Sequence, residues 1–264
     1  EVEALLKADG ADTLLAEPEI AAEFYLTLAQ KKTFRVILQP GIVEGLREVK
    51  NEWEIAQLKR ASEITDQAYL QVREHIHAGQ TELEVAAELE KAMRLAGSER
   101  FNLTIVAAGP NSAYPHHWAS DYVIRKGDFV TMDYGCTING YHSDLTRTIV
   151  VGKASEKQKE IYNTVRRAHD AAFAAIRAGA VSQEVDGVAR TIIDNSPYKG
   201  AFLHNLGHGI GLDIHEGTGL VPGNTNVLRA GMVVSDEPVT DVMVAAIAFA
   251  IASFLSSVCL HCSR

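Results

Sequence analysis

Apolar residues recur at helical spacing along two stretches early in the chain. Between residues 51 and 77, Ile55, Leu58, Ala61, Ile64 and Ala68 fall on one helical face. Asn51 with Glu54 three positions later makes a capping box, in which each side chain bonds the other residue's backbone N–H. Gly79 ends this helix. Thr81 with Glu84 repeats the signal and predicts a second helix to about residue 95, stopped by Gly97. The Glu- and Lys-rich faces of both helices read as solvated. From Asn102 the pattern changes to strands at 103–107, 129–134 and 142–151, rich in Val, Ile and Thr. Helices at 156–178 and 181–194 follow. A glycine- and histidine-rich segment (204–219) then leads to a last strand at 232–235. Residues 1–47 read as helix, turn, helix and a short strand at 35–38, which is too little for an independent domain. The order of helices, strands, helices and strands predicts an α+β domain of two similar halves, although no sequence repeat is evident.

Composition narrows the function. The 264 residues carry a net charge of -9 and no run of Lys and Arg, which argues against a nucleic-acid backbone as partner. Three cysteines are too few for a disulfide framework. Together with the lack of a signal peptide at the start, this predicts a reducing, cytoplasmic compartment. The first residue is not Met and lies in a helical pattern, so the start reads as truncated or processed.

Four segments carry candidate chemistry. Asp133 and Asp144 flank Thr137-Ile138-Asn139-Gly140, a strong hairpin turn. If all four residues form the loop, Asp133 faces Asp144. If only Asn139-Gly140 turns, Asp144 faces Gly135 and Asp133 lies diagonal to it. Either way the carboxylates share a face, about 5–8 Å apart at Cβ, along with Thr146 and His142. Two such acids repel each other unless a proton or a cation lies between them. The second segment holds His204, His208 and His215 among Gly207, Gly209 and Gly211. These glycines forbid a stable helix and permit close approach of backbone or ligand. His208 and His215 have opposite parity, so the segment must bend if both serve one site. The third segment, Ser235-Asp236-Glu237-Pro238, places Glu237 at a strand end. The fourth, Tyr114-Pro115-His116-His117, offers two loop histidines, one of which can serve simply as a loop donor.

Two Asp, one Glu and one His make a carboxylate-rich set with one imidazole. This suits Mn²⁺, Co²⁺, Fe²⁺ or Zn²⁺, and the number of acids suggests more than one ion. A pair about 3.5–4 Å apart can hold a hydroxide nucleophile and polarise a carbonyl. Nearby histidines can donate to an oxyanion and a leaving amine.

The segments PHHWASD, MDYG, HSDLTRT, GHGIGLDIHE and SDEP occur in the order and spacing of the pita-bread metallopeptidases. The chain resembles this family, which includes methionine aminopeptidase, aminopeptidase P and prolidase, over about residues 48–238. The entry REVKNEWEIAQLKRASEITDQA is similar to the Xaa-Pro branch. The resemblance implies a pita-bread α+β fold for residues 48–264, with 1–47 the last part of an N-terminal α/β domain. It also implies a hydrolase cleaving Xaa-Pro bonds in proline-containing peptides, through a hydroxide held by two divalent ions, manganese first and Co, Zn or Fe as alternatives. By position, Asp133, Asp144, His208 and Glu237 correspond to metal ligands, with Asp144 bridging. His116 and His215 correspond to the histidines that handle substrate and tetrahedral intermediate. Glu237 also corresponds to the group that deprotonates the nucleophile, and His204 lies near the substrate pocket. A homodimer is implied as well, while aminopeptidase and dipeptidase action stay open.

The chain departs from the family after Pro238. The family's fifth ligand, a bridging Glu, would fall near Ile251, yet no Glu follows Glu237. From Val242 to Leu260 there are 19 residues without charge, close to transmembrane length. A tail altered at a reading-frame or fragment boundary, a packed helix or strand, and a membrane anchor are the three readings. The first is preferred and no membrane partner is expected. Cys259-x-x-Cys262 reads as incidental. Two alternatives to a full peptidase remain: an impaired or non-catalytic peptide-binding homologue, and a metal-free amidinohydrolase resembling creatinase.

Overall fold

The computed structural model describes residues 1–102 and 104–238. The tail, with every reading given for it above, lies outside the described residues, as does Leu103. The chain divides into two compact units, with the boundary between Arg47 and Glu48.

In the first unit, helix α1 (Val2–Asp9) closes at Gly10 in the left-handed conformation. Strand β1 (Thr13–Ala16), helix α2 (Ala22–Ala29) and strand β2 (Arg35–Leu38) form a β-α-β crossover, with β1 and β2 parallel and Thr13 opposite Arg35. Helix α3 (Ile42–Arg47) ends the unit. The short β1 and α3 go beyond the predicted elements. Both are too brief for a periodic signal.

The second unit opens with α4 (Glu52–Val72) and α5 (Glu82–Leu95), and both predicted capping boxes are present. Strand β3 (Arg100–Phe101) and strand β4 (Ile105–Ala108) follow. Next come β5 (Phe129–Tyr134), β6 (Cys136–Ile138), β7 (Tyr141–His142) and β8 (Leu145–Val150). They form two antiparallel sheets, in the orders β4-β5-β8 and β3-β6-β7. Helices α6 (Glu156–Ala175) and α7 (Ser182–Asp194) then lead to β9 (Gly207–Gly209) and β10 (Glu216–Leu220), an antiparallel pair. The predicted last strand is reduced to isolated bridges, Val49 to Met232 and Gly209 to Val234.

Each helix pair builds its own core. Ala61, Ile64 and Ala68 of α4 and Val85, Leu89 and Met93 of α5 pack with Val130 and Met132 of β5. Ile161, Val165 and Ala168 of α6 pack with Val185, Ala189 and Ile193 of α7, and with Leu206, Leu220 and Phe129. The pleat of β5 explains how one strand serves both cores. Successive side chains alternate faces, so Val130, Met132 and Tyr134 meet the first cluster and Phe129 the second. Thr131 and Asp133 share the face of Phe129 and open onto a cavity between the halves of this unit. This is an α+β domain of two similar halves, the pita-bread arrangement.

Candidate metal centre

The hairpin settles the register that the sequence left open. Thr137 pairs with His142 and Ile138 with Tyr141, so only Asn139-Gly140 turns. Both turn residues have positive φ, 50° and 83°, as a two-residue turn matched to strand twist requires. Asp133 therefore pairs with Thr146. The predicted strand at 142–151 breaks at Ser143-Asp144, where Ser143 N donates to Cys136 O (2.9 Å) and Asn102 Nδ2 to Ser143 O (2.6 Å). That break sets Asp144 beside Asp133. Thr146 lines the cavity as expected. His142 does not: its Nδ1 lies 2.7 Å from Asn102 Oδ1, and its N–H donates to Gly211 O.

The glycine-rich segment bends as its parity required. β9 and β10 run antiparallel, and the turn between them brings the His208 and His215 rings to 4.0 Å between centroids. Close backbone approach explains the glycines. A Cβ on Gly207 would run into Ser235 O, and one on Gly211 into the Glu216 carboxylate. Glu216 in turn accepts from Lys50 Nζ (2.7 Å) in a buried ion pair and from Asp213 N (3.1 Å). The 235–237 segment is laid against β9 by Ser235 N to His208 O (2.8 Å) and Glu237 N to Leu206 O (2.7 Å). Behind it, Asp236 Oδ2 lies 3.1 Å from His169 Nδ1, both residues buried, and burial pushes the Asp236 carboxyl up.

These elements converge on one point. His208 Nε2 is 3.4 Å from Asp144 Oδ2 and 3.3 Å from Glu237 Oε1. One ligand atom from each of Asp144, His208 and Glu237 lies within 4.8 Å of the others. Asp133 adjoins them through a hydrogen bond to Asp144. Its carboxyl is held well above the ordinary carboxylate range by burial, and then by the charges of Asp144 and Glu237. Asp144 is raised by burial and then by the charge of Glu237, with His208 and the hydrogen bond to Asp133 opposing. Burial pulls the His208 imidazolium down, but the two carboxylates outweigh it and hold its pKa at about 11. His215 is depressed by burial and by the charge of His208.

The donors present fit divalent ions. Glu237 Oε1 is shut from solvent without a well-formed hydrogen bond. Three carboxylates crowd one imidazole, and a cation would relieve their repulsion as the His208 proton does here. A cavity of about 360 Å³ opens beside the cluster, walled by Ile105, Ala107, Tyr114 and Pro115. His116, His204 and His215 line it too, so each predicted site residue lies in the cluster or on the cavity wall. His204 stacks edge-on to Phe202 at 5.0 Å, and Arg190 Nη2 holds its carbonyl at 3.0 Å. Lys50, His169 and Asp236 were missed. A lone Lys or His on a helical or extended stretch gives no sign of a buried partner more than sixty residues away.

The sequence profile of "Metallopeptidase family M24" matches residues 56–251, a span that runs past Pro238. A Xaa-Pro dipeptidase of Pyrococcus furiosus is 44% identical over 199 residues, which is 75% of this chain and 57% of that protein. The chain thus spans little more than half the length of that curated relative. Among solved structures, a Xaa-Pro dipeptidase from Bacillus anthracis matches with a TM-score of 0.87 and 41% identity, over 90% of this chain and 68% of that one. An X-Pro aminopeptidase from Thermotoga maritima gives a TM-score of 0.86 at 35% identity, over 91% and 69%.

Proposed function

The chain belongs to metallopeptidase family M24, and from that premise we propose that it hydrolyses the Xaa-Pro bond of proline-containing peptides. The observation that carries this reading is the convergence of Asp144, His208 and Glu237 within 4.8 Å beside a cavity lined by three further histidines. In the proposal, Asp133, Asp144, His208 and Glu237 would hold two divalent ions, manganese by preference. Bound there, such ions acidify water and polarise a carbonyl.

The chain's own groups do the rest. The Glu237 carboxylate accepts the proton of the attacking water. His116 and His215 face the scissile carbonyl and donate hydrogen bonds as its oxygen gains charge. His215 suits this work because burial lowers its pKa and favours the neutral ring, with one N–H to give. The proton then passes to the proline nitrogen as the C–N bond breaks. Ile105, Ala107 and Tyr114 give the cavity an apolar wall for a pyrrolidine ring, and His204 contacts the substrate.

Among the described residues, three carboxylates, Asp133, Asp144 and Glu237, would face the charge of such ions. Among the described residues no helix is long and apolar enough to cross a membrane. A cytoplasmic homodimer completes the reading, drawn from the family resemblance and the three cysteines. The test is a panel of Xaa-Pro dipeptides and longer Xaa-Pro peptides with Mn²⁺ present. Release of free Xaa from either set supports the proposal and separates dipeptidase from aminopeptidase action. No release from any member refutes it.

A further inference from the structure

Helix α5 begins with a carboxylate that is fully buried: Glu82 is 0% exposed. Its Oε1 accepts from Ala108 N (2.7 Å) and Asn111 Nδ2 (3.0 Å). Its Oε2 accepts from His117 Nε2 (2.8 Å), Ser120 N (3.0 Å) and Ser120 Oγ (2.6 Å). All five donors belong to residues 108–120, the segment that carries His116. Two backbone bonds, Glu82 N to Tyr122 O and Leu83 N to Ser120 O, close the segment onto the helix end. Burial works against the Glu82 charge, yet these hydrogen bonds outweigh it and keep the carboxyl below its ordinary range.

Glu82 thus ties together four residues of this segment, Ala108, Asn111, His117 and Ser120. The loop's largest side chains, Tyr114 and Trp118, are 64% and 72% exposed, so burial of large apolar groups does not hold it. Beyond Ala108, the last residue of β4, its regular structure is one 3-10 turn, Gly109–Ala113. His116 lies between two of the anchors, Asn111 and His117, and lines the cavity together with His215. A ring on an exposed loop can meet a substrate carbonyl repeatedly only if its backbone is held, and misplacement by about 1 Å can cost about 100-fold in rate.

We infer that Glu82 is the positioning residue for His116, a buried hub that orders the 108–120 loop through His117, Asn111 and Ser120. The inference rests on the catalytic reading of His116, while the ordering of the loop stands apart from it. It makes His117 the loop donor and leaves His116 as the histidine that faces substrate.

The test compares wild type, Glu82→Gln, Glu82→Asp and Ser120→Ala, all loaded with Mn²⁺. Glutamine keeps the shape but turns an amide N–H₂ toward groups that donate. Hydrogen exchange read by mass spectrometry is expected to quicken at least about tenfold over 108–120 in Glu82→Gln. Peptides from 129–150 and 206–220, and bound manganese per chain, should stay as in wild type. With a Xaa-Pro dipeptide, kcat should fall about 10–100-fold with KM little changed. Glu82→Asp should recover part of that loss, and Ser120→Ala should show a smaller shift in the same peptides. Wild-type exchange over 108–120 in Glu82→Gln would overturn the inference. So would a loss of kcat matched by loss of manganese, or faster exchange across the whole unit. If Glu82→Gln does not fold, Ser120→Ala decides on the same readouts. If wild type cleaves no Xaa-Pro bond, the proposed function fails, while the exchange result still decides whether Glu82 orders the loop.

Discussion

Metal uptake by this site must expel a proton, and the size of the effect follows from the environment of His208. With no ion present, His208 sits between Asp144 and Glu237 at 3.4 and 3.3 Å, with its pKa held at about 11 against an ordinary 6.5. An imidazolium cannot be a ligand, so binding has to remove that proton. At pH 7.5 this costs about 5 kcal/mol, at 1.36 kcal/mol for each unit below the pKa, and lowers the apparent affinity by three to four orders of magnitude. Each unit of pH gained returns about tenfold. The Kd for Mn²⁺ should therefore tighten at least about tenfold per unit between pH 7 and 9, and more if the proton shared by Asp133 and Asp144 also leaves. An ordinary histidine would show no slope above about pH 7.5. Titration calorimetry in buffers of different ionisation enthalpy counts the protons directly. His208→Gln should bind more weakly and release one proton fewer. A Kd independent of pH over this range, with no proton release, would refute the reasoning.

Asp133→Asn should stabilise the metal-free protein at pH 8. The folded-state pKa of Asp133 is raised, so the native acid costs stability once pH exceeds the ordinary carboxylate range, and the amide does not. The expected gain is roughly 0.5–2 kcal/mol in urea unfolding with EDTA present, with loss of metal binding, and a less stable variant would count against it. Gly207→Ala drives a methyl into Ser235 O and so shifts the extended segment that carries Glu237. It should cost about 1–3 kcal/mol and weaken manganese binding, and unchanged affinity would show that this approach does not set the cage. Lys50→Met removes the cation paired with the buried Glu216 carboxylate and should cost about 3–5 kcal/mol. Adding Glu216→Gln should recover part of this, and strictly additive losses would speak against the pair.

Much of this was legible because the signals were local. The boxes at Asn51/Glu54 and Thr81/Glu84 need only four residues, and both formed. The acids of the ribbon shared a face under either turn, since both registers preserve parity. What the pattern could not decide was the register itself, which depends on positive φ at Asn139 and Gly140 and on the break at Ser143-Asp144. His142 lost its expected place at the site because that break hands its ring to Asn102. Glu82 misled for a physical reason. An acid in the first turn of a helix ordinarily faces water and favours the helix dipole, and nothing nearby in sequence reveals five donors from residues 108–120. The repeat was also hidden. Val85 and Leu89 play the parts of Val185 and Ala189 one hundred positions later, but only apolar character is shared, and that is too common to register as a repeat.

The most direct test follows proline release from one Xaa-Pro dipeptide by wild type and Asp144→Ala, each with Mn²⁺ and with EDTA. Wild type should work only with metal, should stop in EDTA and should resume when Mn²⁺ is returned, while Asp144→Ala stays silent throughout. Turnover that persists in EDTA, or survives in Asp144→Ala, would mean that the acids and the imidazole gathered around His208 do not hold the ion on which cleavage depends.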